Sequence, residues 1–189
     1  QAVSALLKKR NKFQRNPELK EEYSNVIRNY ELEGYAEEVP TCDLDPTKKK
    51  AFYLTHNAVC HPRKKMRVIF NAALPYHGRS FNDEVQDCPD LLETILGILI
   101  RWREDVVGVA ADIKQFFNRV AVPKEQSDWT RYVWFRDEDM NEIKHMRMLV
   151  RIFGDKSAQA GSIAARNRSV FDAVKVGIGP GSICTTRVV

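Results

Sequence analysis

The sequence predicts an α+β fold, and three observations predict it. Leu19, Tyr23, Val26, Ile27 and Tyr30 recur at three- and four-residue spacing, which gives a helix one apolar face. Residues 51–59 and 66–72 (AFYLTHNAV and MRVIFNA) are rich in β-formers and flank the turn-like CHPRKK, as a hairpin would. Val106 to Ala111 (VVGVAA) is a short continuous apolar run of the kind that fills a central strand.

The elements follow in order. Residues 3–15 read as a basic helix, and Asn16-Pro17 opens the second helix with proline in its first turn. Gly34 is its expected stop. Residues 37–50 carry two prolines and many charges and read as loop. After the hairpin, residues 74–87 read as loop, and PDLLETILGILIRW (89–102) as a mostly buried helix. Residues 116–122 are expected to form a turn and a short strand, and TRYVWF (130–135) a strand of period-two alternation. KHMRMLVRI (144–152) reads as its partner and 157–168 as a small-residue helix. The last stretch, DAVKVGIGPGSICTTRVV, changes texture and reads as a strand followed by a glycine-rich loop. The helix from Leu91 to Leu99 and the strand from Val106 to Ala110 are expected to form the core.

Net charge is +5, a surplus that favours polyanionic partners through phosphate neutralisation. The four cysteines form no C-x-x-C pair and suit reduced thiols in an intracellular protein. No apolar signal core opens the chain, and no run of about 18 apolar residues marks a membrane helix. The expectation is an intracellular protein with no membrane partner. The first residue is glutamine, so the chain reads as a piece of something longer.

Asp112 directly follows the apolar run, and a carboxylate at the end of a buried strand points into a site. Its surroundings give that position meaning. The ordered series YLTHNAV, KKMRVIFNAA, GRSFNDEV, a leucine-rich helix, ADIKQFFNRVAV, RYVWF and MLVRIFG resembles the reverse transcriptase of BEL/Pao-type retrotransposons over about 115 residues. The resemblance implies a partial fingers and palm over residues 51–168. A helical segment and linker (1–50) would precede it, and a poorly packed tail (169–189) would follow. Asp112 would be the first palm aspartate, with the Ile113 carbonyl beside it on Mg²⁺. Lys65 and Arg67 would grip the incoming dNTP, since cations, and arginine bidentately, suit phosphate oxygens. Phe117 would gate the ribose 2′-OH, and Gly154 would help seat nucleotide and template. The implied partners are an RNA or DNA template-primer and dNTP. The chain departs from the family at Asn71, often aspartate there, and at SAQAG, where Ser-Pro is usual. No Asp-Asp pair occurs anywhere in the sequence, so the Tyr-x-Asp-Asp motif is missing. One carboxylate cannot hold two Mg²⁺ ions, and a chain truncated before that motif is expected to be inactive alone.

Residues 174–186 (VKVGIGPGSICTT) resemble the catalytic loop of inosine-monophosphate dehydrogenase. That resemblance implies NAD-dependent oxidation of IMP to XMP, with Cys184 as nucleophile at the purine C2. Gly177, Gly179 and Ser182 would approach the nucleotide phosphate. Carbonyls of Gly179, Gly181 and Cys184 would hold K⁺. The family needs a whole (β/α)₈ barrel, and the pattern upstream of Asp172 does not read as one. A third reading is a non-enzymatic basic module that binds nucleic acid.

Overall fold

The computed structural model describes residues 1–47, 50–61, 64–86, 94–104, 106, 109–111, 114–168, 174–179 and 183–188. Helix α1 (Ala2–Arg15) and helix α2 (Pro17–Leu32) meet at Asn16, whose side-chain oxygen accepts from the Leu19 N–H at 3.0 Å and caps α2. Gly34, at φ +70°, ends α2. Its N–H donates to the Glu31 carbonyl, and the Tyr35 N–H to the Tyr30 carbonyl, which satisfies the last turn.

The main sheet is antiparallel, with order β1–β6–β5. It is built from β1 (Ala36–Glu38), β5 (Arg131–Phe135) and β6 (Ile143–Met148). A hairpin of β2 (Thr55–His61) and β3 (Lys64–Asn71) lies against it, with an irregular register between Val59 and His61. The tip of this hairpin, residues 62 and 63, lies outside the described residues. One apolar core joins α1, α2, the hairpin and the sheet through Leu6, Phe13, Tyr23, Leu54, Phe70 and Tyr132. Residues on both sides of position 50 share it.

Strand β5 is buried along its whole length, although alternation predicts one wet face. Both faces are covered. Tyr132 and Trp134 enter an aromatic cluster with Phe13, Tyr23, His56 and Phe70. Arg131, on the opposite face, joins a buried ion network.

The expected core of 91–99 and 106–110 is corrected at residues 95–99 and 106; residues 91–93, 107 and 108 lie outside the described residues. Helix α3 (Phe81–Glu84) is a single turn, and α4 (Ile95–Trp102) takes up the second part of the expected 89–102 helix, since Thr94 is not helical. Ile95 and Leu96 of α4 are 74% and 69% exposed, and only Ile98 of its exposure-described apolar residues is buried. Val106 is fully exposed. The chain fills its core with the N-terminal helices and β5–β6 instead, whose apolar faces meet each other.

Strand β4 (Val109–Ala111) is the second half of the apolar run; residues 107 and 108 lie outside the described residues. The turn and short strand expected at 116–122 are a 3₁₀ turn at Phe116–Arg119 and a single bridge, Ala121 to Val150. Helix α5 (Ala158–Arg168) leads to β7 (Val174–Gly179) and β8 (Ile183–Val188). These two form an antiparallel hairpin, and β8 also pairs antiparallel with β4, giving the order β4–β8–β7. The expected glycine-rich loop therefore holds a second strand. Among the described residues no helix is long and apolar enough to cross a membrane.

Candidate nucleotide site

The site-bearing segments are held by backbone bonds before any side chain acts. Side chains alternate along β3, so Val68 and Phe70 face the core while Lys65 and Arg67 stand exposed on the other face. The inner end of β3 meets the turn at Phe153–Gly154. Gly154 has φ +103°, and a Cβ there would lie 2.5 Å from the Phe70 carbonyl oxygen. Only glycine suits both the dihedral and the space. Asn82 locks this junction. Its amide donates to the Gly154 carbonyl at 3.0 Å, its side-chain oxygen accepts from the Lys156 N–H at 3.0 Å, and its own N–H donates to Ala72. A capping box between Ser80 and Asp83 fixes the turn that carries Asn82. Hydrogen bonds from the Ser80 N–H and hydroxyl hold the Asp83 carboxyl below its ordinary range.

Phe117 comes from the 3₁₀ turn. Its ring meets Phe153 edge-on at 4.7 Å and 85°. Gln115 precedes it in the left-handed region (φ +55°), held by the Tyr35 hydroxyl, which donates to its side-chain oxygen at 2.9 Å. The structure thus brings Phe117, Phe153 and Gly154 together at the end of β3. At roughly 3.4 Å per residue, Arg67 and Lys65 stand ~10 and ~17 Å further out along the strand from Phe70.

The remaining candidates divide between two groups. Asp112, Ile113, Gly181 and Ser182 lie outside the described residues. Cys184 and Gly179 are strand residues, paired with Ile178 and Ile183, and Gly177 is paired with Thr185. Among the described residues no group of three His, Cys, Asp or Glu side chains gathers as for a metal.

The sequence reading missed the most buried charges in the fold. Arg147, 1% exposed, stands in β6 between Glu37 of β1 and Arg131 of β5. Its guanidinium contacts Glu37 at 2.5 Å, Asp43 at 3.1 Å and Asp128 at 3.1 Å. Arg131 donates to the same Asp128 oxygen at 2.8 Å and to the Asp43 carbonyl at 2.9 Å. Burial alone would raise the Asp128 pKa, but hydrogen bonds from Arg131 and Arg147 outweigh it and hold the carboxyl ionised. The signal was present: two arginines at strand positions among apolar neighbours. A second buried pair joins Tyr23 and His56. The Tyr23 hydroxyl donates to Nδ1 at 2.5 Å and Nε2 donates to the Val133 carbonyl at 3.0 Å. Burial lowers the His56 pKa to about 4.

Residues 136–189 match the family described as IMP dehydrogenase / GMP reductase domain. Two curated relatives, each an inosine-5'-monophosphate dehydrogenase from a strain of Staphylococcus epidermidis, are 45% identical over 56 residues. That alignment covers 26% of this chain and 11% of each relative, so the chain spans about a tenth of the length of the curated relatives it matches. Residues 51–135, most of the stretch resembling reverse transcriptases, lie outside the family match.

Proposed function

We propose that residues 136–189 are a fragment of an IMP dehydrogenase-type catalytic domain, with Cys184 in the nucleophile's position. The match of this stretch to that family, with VKVGIGPGSICTT inside it, carries the reading. A complete enzyme of this kind adds the cysteine thiolate to the purine C2 of IMP, passes the C2 hydride to NAD⁺ and releases XMP by hydrolysis. A (β/α)₈ barrel supports such chemistry from loops at the ends of parallel strands. Here β6, the strand before α5, pairs with β1 and β5, and β7 pairs antiparallel with β8. A βαβ unit would set β6 and β7 side by side and parallel. The described strands therefore lack the parallel order of such a barrel, and the chain by itself is expected not to turn over IMP. The purified chain, given IMP and NAD⁺, should form no NADH, and IMP should not shield Cys184 from iodoacetamide. NADH formation abolished by Cys184→Ala would overturn the fragment reading in favour of a working dehydrogenase.

A second reading covers residues 51–168, and one geometric observation favours it. Gly154 closes on the inner end of the strand that carries Lys65 and Arg67, with Phe117 against Phe153 beside it. We propose that this surface is a partial fingers and palm that holds a dNTP, with the basic strand on the phosphates. Without a second aspartate pair it should extend no primer. Equilibrium binding of dNTP to the chain tests it. Lys65→Ala with Arg67→Ala should weaken binding at least tenfold, and no measurable binding by the parent chain would sink the idea. Reading the coding sequence beyond Val189 separates the two: further βα units favour the dehydrogenase fragment, and a Tyr-x-Asp-Asp favours the polymerase. Neither would leave the basic nucleic-acid-binding module.

A further inference from the structure

A cleft of about 340 Å³ opens between the start of α1, the Ala51–Tyr53 segment and the turn at Tyr76. Neither reading above uses it. Phe52, Tyr53 and Tyr76 supply aromatic walls, with Val133 and His145 from β5 and β6 behind them. Among the described residues no Asp, Glu, Lys or Arg side chain lines it. Its size and its apolar walls with few polar groups are those of a small-molecule site.

The walls are fixed by the backbone. The Phe52 N–H donates to the Asp128 carbonyl, and the Arg131 N–H to the Phe52 carbonyl, both at 3.1 Å. Tyr76 sits at one end of a two-residue turn closed by reciprocal bonds with Arg79 at 2.8 and 3.2 Å. The central residues, His77 and Gly78, have φ of +50° and +82°, as a type I′ turn requires. Gln1 ties the mouth by donating its side-chain amide to the Pro75 carbonyl at 3.2 Å.

One polar group in the cleft takes its hydrogen-bonding role from its neighbours. Arg131 donates to the Tyr53 hydroxyl at 3.5 Å, and its guanidinium carbon lies 5.9 Å from the Tyr53 ring centroid. The same hydroxyl lies 2.8 Å from His145 Nδ1. In the tautomer in which the hydroxyl donates to Nδ1, the neutral imidazole carries its hydrogen on Nε2. Burial first, and Arg131 second, lower the His145 pKa and keep the ring neutral at pH 7. In that tautomer the cleft offers stacking faces and one neutral N–H donor. An anionic ligand would lose its hydration there with no Lys or Arg side chain in the lining to replace it.

We propose that this cleft binds an uncharged, planar heteroaromatic ring, stacked on Tyr76 and Phe52 and accepting a hydrogen bond from His145 Nε2 at a ring nitrogen or carbonyl. Two sources carry such a ring: a free nucleoside, and an unstacked base of a single strand.

Adenosine titrated into the full chain, followed by tyrosine fluorescence and by the His145 ring resonances, tests the proposal. Saturable binding should shift those resonances. Tyr76→Ala and His145→Phe should each weaken it about five- to tenfold, as expected for one stacking face or one hydrogen bond. Indole, a flat ring without an acceptor, should bind several-fold more weakly than adenosine. An oligodeoxyadenylate that binds more tightly than adenosine, with the same sensitivity to both substitutions, assigns the cleft to a strand. Equal or weaker binding assigns it to the free nucleoside. Tyr76 is more than half exposed, so its variant keeps the core. If His145→Phe does not fold, Tyr76→Ala and the indole comparison decide. No saturable adenosine binding, binding indifferent to Tyr76→Ala, or indole binding as tight as adenosine would each overturn the proposal.

Discussion

Strand β5 and helix α4 are both strongly apolar segments, yet the fold treats them oppositely. RYVWF is buried at every position, whereas four apolar residues of ILGILIRW (Ile95, Leu96, Leu99 and Ile100) are exposed. The difference lies in what stands opposite. Trp134 stacks on Tyr23 of α2 at 4.9 Å and 17°, and Phe13 of α1 meets Trp134 edge-on at 5.9 Å. Two amphipathic helices with matching apolar faces close over β5. Among the described residues, α4 buries Ile98 and leaves its other apolar face uncovered. Apolar composition makes burial favourable, but a complementary surface decides where it happens.

The buried side of that comparison should break most easily at its charges. Asp128→Ala would leave Arg131 and Arg147 facing each other in the core without the oxygen they share. Removing one partner of a buried ion pair costs about 3–5 kcal/mol, and urea unfolding at pH 7 should report a loss of that size. A loss below about 1 kcal/mol, the range of an exposed pair, would mean that water reaches the network.

Next come the two glycines that separate strain from crowding. Gly154 and Gly78 both have positive φ, but only Gly154 has a carbonyl 2.5 Å from the position of an added Cβ. Gly78→Ala should cost about 1 kcal/mol, from the dihedral alone. Gly154→Ala should cost about 2–3 kcal/mol, because the Phe70 backbone must also move. Equal losses would show that the junction with β3 is soft.

His56 gives the pH dependence of the same core. Its folded pKa of about 4 lies below the ordinary histidine value, so the unfolded chain takes up the proton first. The stabilisation is fully present above about pH 6.5 and is lost as pH falls towards 4. Between pH 7.5 and pH 5 the loss should be about 2 kcal/mol, from one proton and a shift of this size. Urea midpoints at the two pH values measure it, and His56→Phe should remove most of the difference. An unchanged slope in that variant would assign the pH dependence to other groups.

The same contrast explains what could be read from the sequence. Helices α1 and α2, the β2–β3 hairpin and the β5–β6 pair follow from local signals: Asn16-Pro17, Gly34, and β-formers on either side of turn residues. Tertiary choice did not follow. Nothing local distinguishes ILGILIRW, expected inside, from the helices that cover β5. Arg131 and Arg147 look like solvated charges until Glu37, Asp43 and Asp128 arrive from segments up to 110 residues away. Of the candidate site, Gly154 and Phe117 come together because short-range turns hold them. The two strands at 174–188 were half legible, since glycine suggested a loop where pairing with residues 109–111 supplies a ladder.

The smallest expected effect tests the uncovered side. Leu96→Lys on α4 replaces a side chain that is already mostly in water, so it forfeits little buried area, and lysine is a good helix former. Its cost should stay within about 0.5 kcal/mol, as for surface positions generally. Leu54→Ala, at a position 1% exposed, should cost about 2–5 kcal/mol through lost burial and the cavity left behind. Thermal or urea unfolding of the pair supplies the ratio. If Leu96→Lys costs as much as Leu54→Ala, α4 is covered in solution, and the rule drawn from β5 applies to it as well. If the ratio holds, two leucines differ in energetic weight by several-fold because only one has a matching surface against it.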